Sequence, residues 1–504
     1  MLYNSTQNAK EVVSAAQAIA QGISKDGGLF VPQEFPKYDE NTFKALLKTD
    51  YKGRAKKVFS DFLSDFTEEE ISDCVEKAYT AQKFGGENPA PISYCNLDGT
   101  TLNILELWHG PTCAFKDMAL QILPHFLTRA VRKTGEQKKS VILVATSGDT
   151  GKAAMAGFSD VPDTEVIVFY PHGGVSDAQR LQMTTQRGNN VHAVAVEGNF
   201  DDAQTGVKLL FGKAELAAEL KEQGCAFSSA NSINWGRLVP QIVYYFSAYA
   251  DAVEKGRIQN GTEIVFSVPT GNFGDILAGY YAKLMGLPVK KFICASNSNN
   301  VLTDFINTGT YDRNREFHRT ISPSMDILVS SNLERLLYEK TEHNSEKINE
   351  WMDALQEKGA YSIGRDIQDA VVSDFFGAWI DEIETQETIS DVFNNYGYVL
   401  DPHSAVAYKA LQKYRLMTSD ETYGIVLSTA SPFKFSDVVL RALYPDDYEG
   451  KVLTAFEAMD ELSQKARIDI PQGLKELRGL PERESDIVAP GEMEKEVKKI
   501  LAID

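Results

Sequence analysis

An α/β fold built on mostly parallel sheets is predicted for this chain by three observations. Short β-branched runs alternate with longer helical stretches over most of its length. Several of those runs end in loops rich in Gly, Ser and Thr that lead straight into a helix. A hydrophobic content of 43% with 24% charged residues marks a chain that folds around apolar cores. Its 504 residues suffice for roughly two to four domains at about 150 residues each.

In order along the chain, residues 1 to about 91 read as helical and mixed in charge. Within FTEEEISDCVEKAYTAQ (66–82), Thr67 and Glu70 have the spacing of a capping box. This segment is expected to pack against the rest or close over it. ISYCNLDGTTLNILELW (92–108) alternates around Asp98-Gly99, which signals a hairpin. HGPTCAFKDMALQILPHFLTRAVRK (109–133) reads as a loop and a helix that Pro124 kinks. Strands are then expected at 140–146, 165–170, 191–196, 263–268, 291–296 and 424–429. Helices fill the gaps, for example at 201–221 and 274–286. The tail, 481–504, reads as a linker with a short charged helix. Ligands in parallel α/β sheets sit at the carboxyl ends of strands, so the loops there carry the interest.

Bulk properties exclude several functions. A net charge of −20 argues against nucleic-acid or acidic-membrane partners, which need basic surface. It also means that an anionic ligand requires a locally basic pocket. The five cysteines are scattered and odd in number, so neither a disulfide framework nor a zinc site is expected. The polar N-terminus lacks a secretory pattern, and no run of about 18 apolar residues is present. The cytoplasm is the expected location. The histidines form no H-E-x-x-H, there is no G-x-S-x-G elbow, and no metal is expected.

Five segments carry candidate chemistry. VILVATSGDTGKAA (141–154) resembles a P-loop, but only two residues separate Gly148 from Gly151, and Ala153 stands where the magnesium hydroxyl belongs. The strand, loop and helix start still aim backbone N–H groups at an anion. Lys152 is expected to face solvent on that helix's first turn. VPTGNFGD (268–275) is a second strand–Gly-loop–helix unit, and it lacks the dinucleotide order. Phe115-Lys116-Asp117 places a lysine among apolar neighbours, where desolvation makes an amine nucleophilic; most lysines instead pair with an acid at the surface. In SSANSINWGRLVPQIVYYF (228–246), Asn231 and Ser232 stand where a helix cap is expected. Arg237 is expected about two turns in, offering a fork for phosphate oxygens or a salt bridge. In GIVLSTASPFKF (424–435), Ser428, Thr429 and Ser431 lie at a strand end near Lys434, as ligand partners or as turn-formers. Together these segments suggest a phosphorylated cofactor and a phosphorylated substrate.

The chain resembles the threonine synthase family, pyridoxal-phosphate enzymes of the tryptophan-synthase-β-like fold. GLFVP (28–32), ELWHGPTCAFKD (106–117), ATSGDTGKAA (145–154), EGNFDDAQ (197–204), NSINWGR (231–237), PTGNFGD (269–275) and STASPFKF (428–435) occur in the family's order. The long N-terminal segment is typical of the fungal and enterobacterial-type branch. The resemblance implies a fold-type II enzyme with two parallel-sheet lobes and a helical N-terminal domain. It divides the chain into 1–91, a large cofactor-binding domain of 92–138 with 230–504, and a small substrate-side domain of 139–229. It implies pyridoxal 5′-phosphate bound to Lys116 as a Schiff base. It assigns the cofactor phosphate to Thr270, Gly271, Asn272, Phe273, Gly274 and Asp275, and the pyridine nitrogen to Thr429. Asp149 is placed near the ring hydroxyl, where other members of the superfamily often carry Asn. Thr146, Ser147, Gly148 and Thr150 are implied to hold the substrate, with Asn231, Arg237 and Lys434 at its phosphate.

The implied reaction converts O-phospho-L-homoserine and water to L-threonine and phosphate, by γ-elimination and β-addition. A monomer or homodimer is expected. The alternatives are a threonine dehydratase or cysteine synthase of the same fold, which would not need Asn231 with Arg237, and a non-catalytic relative that binds a phosphorylated metabolite. A nucleotide-binding protein is disfavoured by the loop spacing.

Overall fold

In the computed structural model, residues 1–97, 100–135, 139–483 and 486–503 are described. The N-terminal segment contains the expected helices, including Glu68–Ala78, whose Thr67 and Glu70 form the capping box. It also contains strands that no period in the sequence signals. β1 (Leu2–Ser5) pairs antiparallel with β2 (Val12–Ser14) and β3 (Phe30–Pro32). Strands of three or four residues are too short for an alternation to register. This region is packed against the helix Trp235–Glu254: the rings of Tyr3 and Phe62 lie 5.2 and 5.4 Å from Trp235. Burying each such aromatic contributes about 1.5–3 kcal/mol.

Beyond it the chain forms β4 (Ile92–Leu97), β5 (Thr100–Glu106), β6 (Lys139–Ala145), β7 (Thr164–Pro171), β8 (Val191–Val196) and β9 (Cys225–Ser229). It continues with β10 (Ile264–Pro269), β11 (Val289–Ser296), β12 (Thr310–Asp312), β13 (Ala360–Ser362), β14 (Phe375–Trp379), β15 (Gly424–Ser428) and β16 (Ile487–Val488). One sheet has the order β14-β11-β10-β15-β5-β4, parallel except where β4 meets β5. The other, β16-β8-β7-β6-β9, is parallel throughout. The predicted α/β lobes are therefore present. β4 and β5 pair antiparallel up to Leu97 opposite Thr100; the Asp98-Gly99 turn itself lies outside the described residues.

Three local expectations are corrected. Pro124 does not kink a helix; it is the second residue of Leu123–Lys133, where a missing N–H costs nothing, and a separate short helix, Asp117–Leu120, precedes it. The stretch 201–221 is two helices, Phe200–Gly212 and Ala214–Glu222, broken at Lys213, whose backbone is extended. The tail forms the helix Met493–Leu501, but β16 pairs with β8. The C-terminal segment thus returns to the smaller sheet, although the sequence division groups it with 230–504. A two-residue strand leaves no hydrophobic pattern to read.

Candidate active site

Adjacent strands of the larger sheet, β10 and β15, deliver their carboxyl ends to one cavity, together with Phe115 and Lys116 from the loop that follows β5. Its lining includes Lys116, Thr150, Asn231, Arg237, Thr270–Asp275 and Thr429, which the sequence singles out from five separate segments.

Lys116 is held by pairing at the end of β15. The Phe115 amide donates to the Thr429 carbonyl at 2.8 Å, and Ala114 forms a bridge with Ala430. The Lys116 ammonium lies 4.7 Å from the centre of the Phe115 ring, and its side chain is 11% exposed. Burial lowers its pKa to about 8; Asp149 opposes that shift, while Arg237 and Lys434 add to it. The desolvation expected from its neighbours is thus present.

The loop after β10 runs into the helix Gly274–Leu284, which has no side-chain cap; Phe273 precedes it at φ 62°. The first N–H groups of such a helix have no intrahelical partner and favour an anion. Asn332 and Ser330 brace the loop through the carbonyls of Asn272 and Gly271. A Cβ on Gly271 would stand 3.0 Å from the Ser324 carbonyl oxygen, a tight approach that a larger residue would make only by shifting that backbone a few tenths of an ångström. Asp275 accepts from Tyr244 at 2.5 Å and Tyr245 at 2.9 Å through Oδ1. Burial raises its pKa to about 6.

Arg237 lies in the first turn of Trp235–Glu254, not two turns in, because the cap is Asn234, which accepts from the Gly236 amide at 2.8 Å. Asn231 and Ser232 precede the cap on the loop. The Arg237 guanidinium is buried; Nη1 donates to the Ala230 carbonyl at 2.8 Å, and burial lowers its pKa to about 10. Among the described residues that line the cavity, Arg237 Nε, Asn231 Oδ1, Gln241 Oε1 and Asp275 Oδ2 are buried without hydrogen-bond partners. Unpaired buried polar atoms are costly, and four around one cavity mark a polar ligand's place. Donors, an uncapped helix start and a neutralisable lysine fit a phosphorylated aldehyde cofactor.

The loop after β6 behaves differently from expectation. Thr150 alone of its implied ligands lines the cavity. Thr146 is buried, and its Oγ1 accepts from the amides of Gly148 and Gly151 at 3.0 and 2.9 Å, so it shapes the loop. Ser147 is half-buried on the loop and does not line the cavity. Gly148 has φ +129°, and a Cβ there would stand 2.4 Å from Cδ of Gln179, which donates to Asp149 Oδ1 at 2.8 Å. Gly148→Ala is therefore expected to displace Gln179 and destabilise the protein by about 1–3 kcal/mol; an unchanged midpoint in thermal unfolding would remove this argument.

Asp149 does not stand alone beside the cavity. Its Oδ1 pairs with Lys434 at 2.5 Å and its Oδ2 lies 3.8 Å from the Lys116 amine. Burial opposes ionisation, yet the two ammoniums hold its carboxyl well below the usual range. Lys434, expected at the substrate phosphate, is fully buried and donates also to the Thr112 carbonyl at 3.1 Å, so its ammonium is occupied. Lys152 is buried rather than facing solvent, 2.5 Å from Gln186 Oε1, because its helix packs between β7 and the helix Asp177–Thr184.

Sequence reasoning missed Ser324, Met325 and His403, which also line the cavity. The His403 Nε2 accepts from the Ser324 amide at 3.1 Å, so Nδ1 carries the proton and donates to Asp401 at 2.8 Å. Asp-Pro-His-Ser at 401–404 is a helix cap with Pro at the first position, a signal for the helix but not for the contact. A wider cleft adjoins the cavity through Asn231, Ser232 and Asn272, and Lys25, Lys208 and Arg313 line it.

A two-lobed α/β fold with a desolvated lysine facing an uncapped helix start defines a pyridoxal-phosphate-dependent class of enzyme, and residues 92–429 match the family described as pyridoxal-phosphate dependent enzyme. Residues 2–79 match the threonine synthase N terminus and 404–500 the threonine synthase C-terminal family. The chain belongs to the threonine synthase family. It is 40% identical over 451 residues to human threonine synthase-like 1, covering 87% of this chain and 59% of that protein. The chain thus spans little more than half the length of this relative. It is 36% identical to threonine synthase from Saccharomyces cerevisiae, covering 88% of this chain and 89% of that one. Among solved structures, PLP-bound threonine synthase from Brucella melitensis superposes with a TM-score of 0.85 at 34% identity, over 99% of both chains. Yeast threonine synthase gives 0.86 at 32%, again over 99% of both. Among the described residues, no helix is long and apolar enough to cross a membrane.

Proposed function

We propose that this chain is a pyridoxal-phosphate enzyme that converts O-phospho-L-homoserine and water to L-threonine and phosphate. The observation that carries the reading is the buried Arg237, with an unpartnered Nε, in the same cavity as the Lys116 amine. A dehydratase or cysteine synthase acting on unphosphorylated or acetylated amino acids has no use for an uncompensated guanidinium there. Family membership supports the same conclusion.

Lys116 would carry the cofactor, and the amides of 270–274 would hold its phosphate at the start of the helix Gly274–Leu284. When bound, pyridoxal phosphate supplies an electron sink beside the substrate's α-carbon. The Lys116 amine, once released to the substrate's α-side, takes the Cα proton. Thr429 offers the pyridine nitrogen a neutral hydroxyl, which restrains charge build-up on the ring. Arg237 and the Asn231 amide hold the substrate phosphate and stabilise it as it leaves. Lys25, Lys208 and Arg313 in the outer cleft supply the local positive charge that a dianion needs in a protein of net charge −20. Five free cysteines fit a reducing compartment such as the cytoplasm.

The test is phosphate and threonine release from O-phosphohomoserine, with and without added pyridoxal phosphate. Release dependent on the cofactor supports the reading; cofactor-dependent release of ammonia or acetate from other amino acids, without phosphate, overturns it. A pH dependence follows from Lys116. Below its midpoint of about 8 the amine is protonated and not nucleophilic, so cofactor capture by the cofactor-free protein should rise with pH and level off near 8 rather than near the ordinary 10.5. The rise should be about tenfold per pH unit below the midpoint. Stopped-flow absorbance of pyridoxal phosphate measures it; a plateau only near the ordinary value would contradict the desolvation argument.

A further inference from the structure

The mechanism above leaves the buried cation Lys434 without a task. Lys434 lies on the turn after β15, has a side chain with 0% exposure, and is absent from the cavity lining. Such a charge is costly unless paired. Its partner is Asp149, at the start of the helix Asp149–Phe158 in the smaller lobe, and the same carboxylate faces Lys116 through its other oxygen.

The two distances are unequal: 2.5 Å to Lys434 and 3.8 Å to Lys116. The remaining ligands of the carboxylate reinforce the asymmetry. Gln179 donates to Oδ1, the oxygen that Lys434 holds, at 2.8 Å, and Ser324 Oγ donates to Oδ2 at 3.2 Å, partly filling the face turned to Lys116. Lys434 is fixed in turn by the Thr112 carbonyl, and its own carbonyl accepts from Ser176 Oγ at 3.3 Å. The Thr112 carbonyl thus holds the ammonium, and Ser176 holds the backbone from which the side chain projects.

We propose that Lys434 is a positioning residue for Lys116: by holding Asp149 in a short ion pair, it keeps that carboxylate from closing on the Lys116 amine and leaves the amine free to react. Asp149 then remains near enough to orient the amine but too far to hold it as a protonated ion-pair partner. Without Lys434, the buried carboxylate has one cation left within reach, and Lys116 becomes its salt-bridge partner. The groups facing Lys116 are Asp149 and Lys434, Arg237 from Trp235–Glu254, and Asp275 from Gly274–Leu284, with the His403 ring among the lining residues. Of the two carboxylates, Asp149 is the one within ion-pair distance of the amine among the described residues, at 3.8 Å.

The inference rests on Lys116 as the cofactor lysine, and its test does not use turnover. Lys116 in the cofactor-free, full-length chain is trace-labelled with acetic anhydride across pH, and its reactivity is read by peptide mass spectrometry. In wild type the midpoint is expected at about 8. In Lys434→Gln, which keeps a donor for Asp149 but removes the charge, the midpoint should rise by at least about one pH unit. Lys434→Met should raise it as far or further, and Lys434→Arg should restore it. A folded Gln or Met variant with an unmoved midpoint overturns the proposal. Failure of both to fold, with Arg folding normally, would assign Lys434 a purely structural role and overturn it too. Absence of phosphate release in wild type would instead count against the proposed reaction and leave the labelling result standing.

Discussion

Lys116→Ala should abolish turnover while leaving the fold intact. In the proposed reaction, removing the amine takes away both the covalent anchor for the cofactor and the group that moves the Cα proton. The expected loss in kcat is at least about 10³-fold, because general acid–base catalysis alone contributes about 10²–10⁴. Stability should change little. The side chain leaves a neutral methyl beside Phe115, and Asp149 keeps its ion pair with Lys434 at 2.5 Å. Wild-type protein reduced with borohydride should retain pyridoxal phosphate on the peptide containing Lys116, and the variant should retain none. A variant that still carries a reducible cofactor linkage at another lysine would remove Lys116 from its role. Lys152, buried and also lowered to about 8, is the residue to inspect in that case.

Arg237→Met should separate substrate binding from cofactor binding. The guanidinium is buried with one carbonyl bond recorded and an unpartnered Nε. Its desolvation is not repaid by a carboxylate partner in contact, so replacing it with an apolar chain of similar length should hold or raise the unfolding temperature. Activity should move the other way. Loss of one preorganised donor to a developing charge costs about 10²–10³-fold, and kcat/KM for O-phosphohomoserine should fall at least that far. Binding of pyridoxal phosphate, read from absorbance, should stay close to wild type if, as proposed, the amides of 270–274 hold that phosphate. Arg237→Lys should recover part of the loss, because it restores the charge without the planar fork. Equal loss of cofactor and substrate binding would place Arg237 at the cofactor instead.

How much of this was legible in sequence differs by element. The central strands were, because β6–β8, β10, β11 and β15 are apolar runs of five to eight residues bounded by turn-formers. The Gly loops after β6 and β10 were, because glycine before a helix start has a local cause. The N-terminal strands and β16 were not, since two to four residues hold no period. Helix starts were misplaced by a few residues at Arg237 and Pro124, where several capping residues compete locally and packing selects one.

At the site, Lys116, Arg237, Thr429 and the 270–275 loop could be named from chain position, because each sits at a strand end or helix start. Ser324 and His403 could not. They meet across 79 positions, and Ser324 reaches Asp149 across 175. The partner of Lys434, Asp149, lies further away still in sequence, so its ammonium looked available for a phosphate.

What the sequence by itself determined is local and periodic: alternating strands and helices, glycine where the backbone must turn, and the residue types able to carry a phosphorylated cofactor. Tertiary structure alone decided which charges meet. Lys152 is buried rather than exposed, Lys434 belongs to Asp149 rather than to a substrate, and the Lys116 amine is held back from the same carboxylate. The reason is physical. A strand or a turn is selected by neighbours within a few residues, whereas the pairing and desolvation of a charge depend on atoms that only the packed lobes bring within about 4 Å.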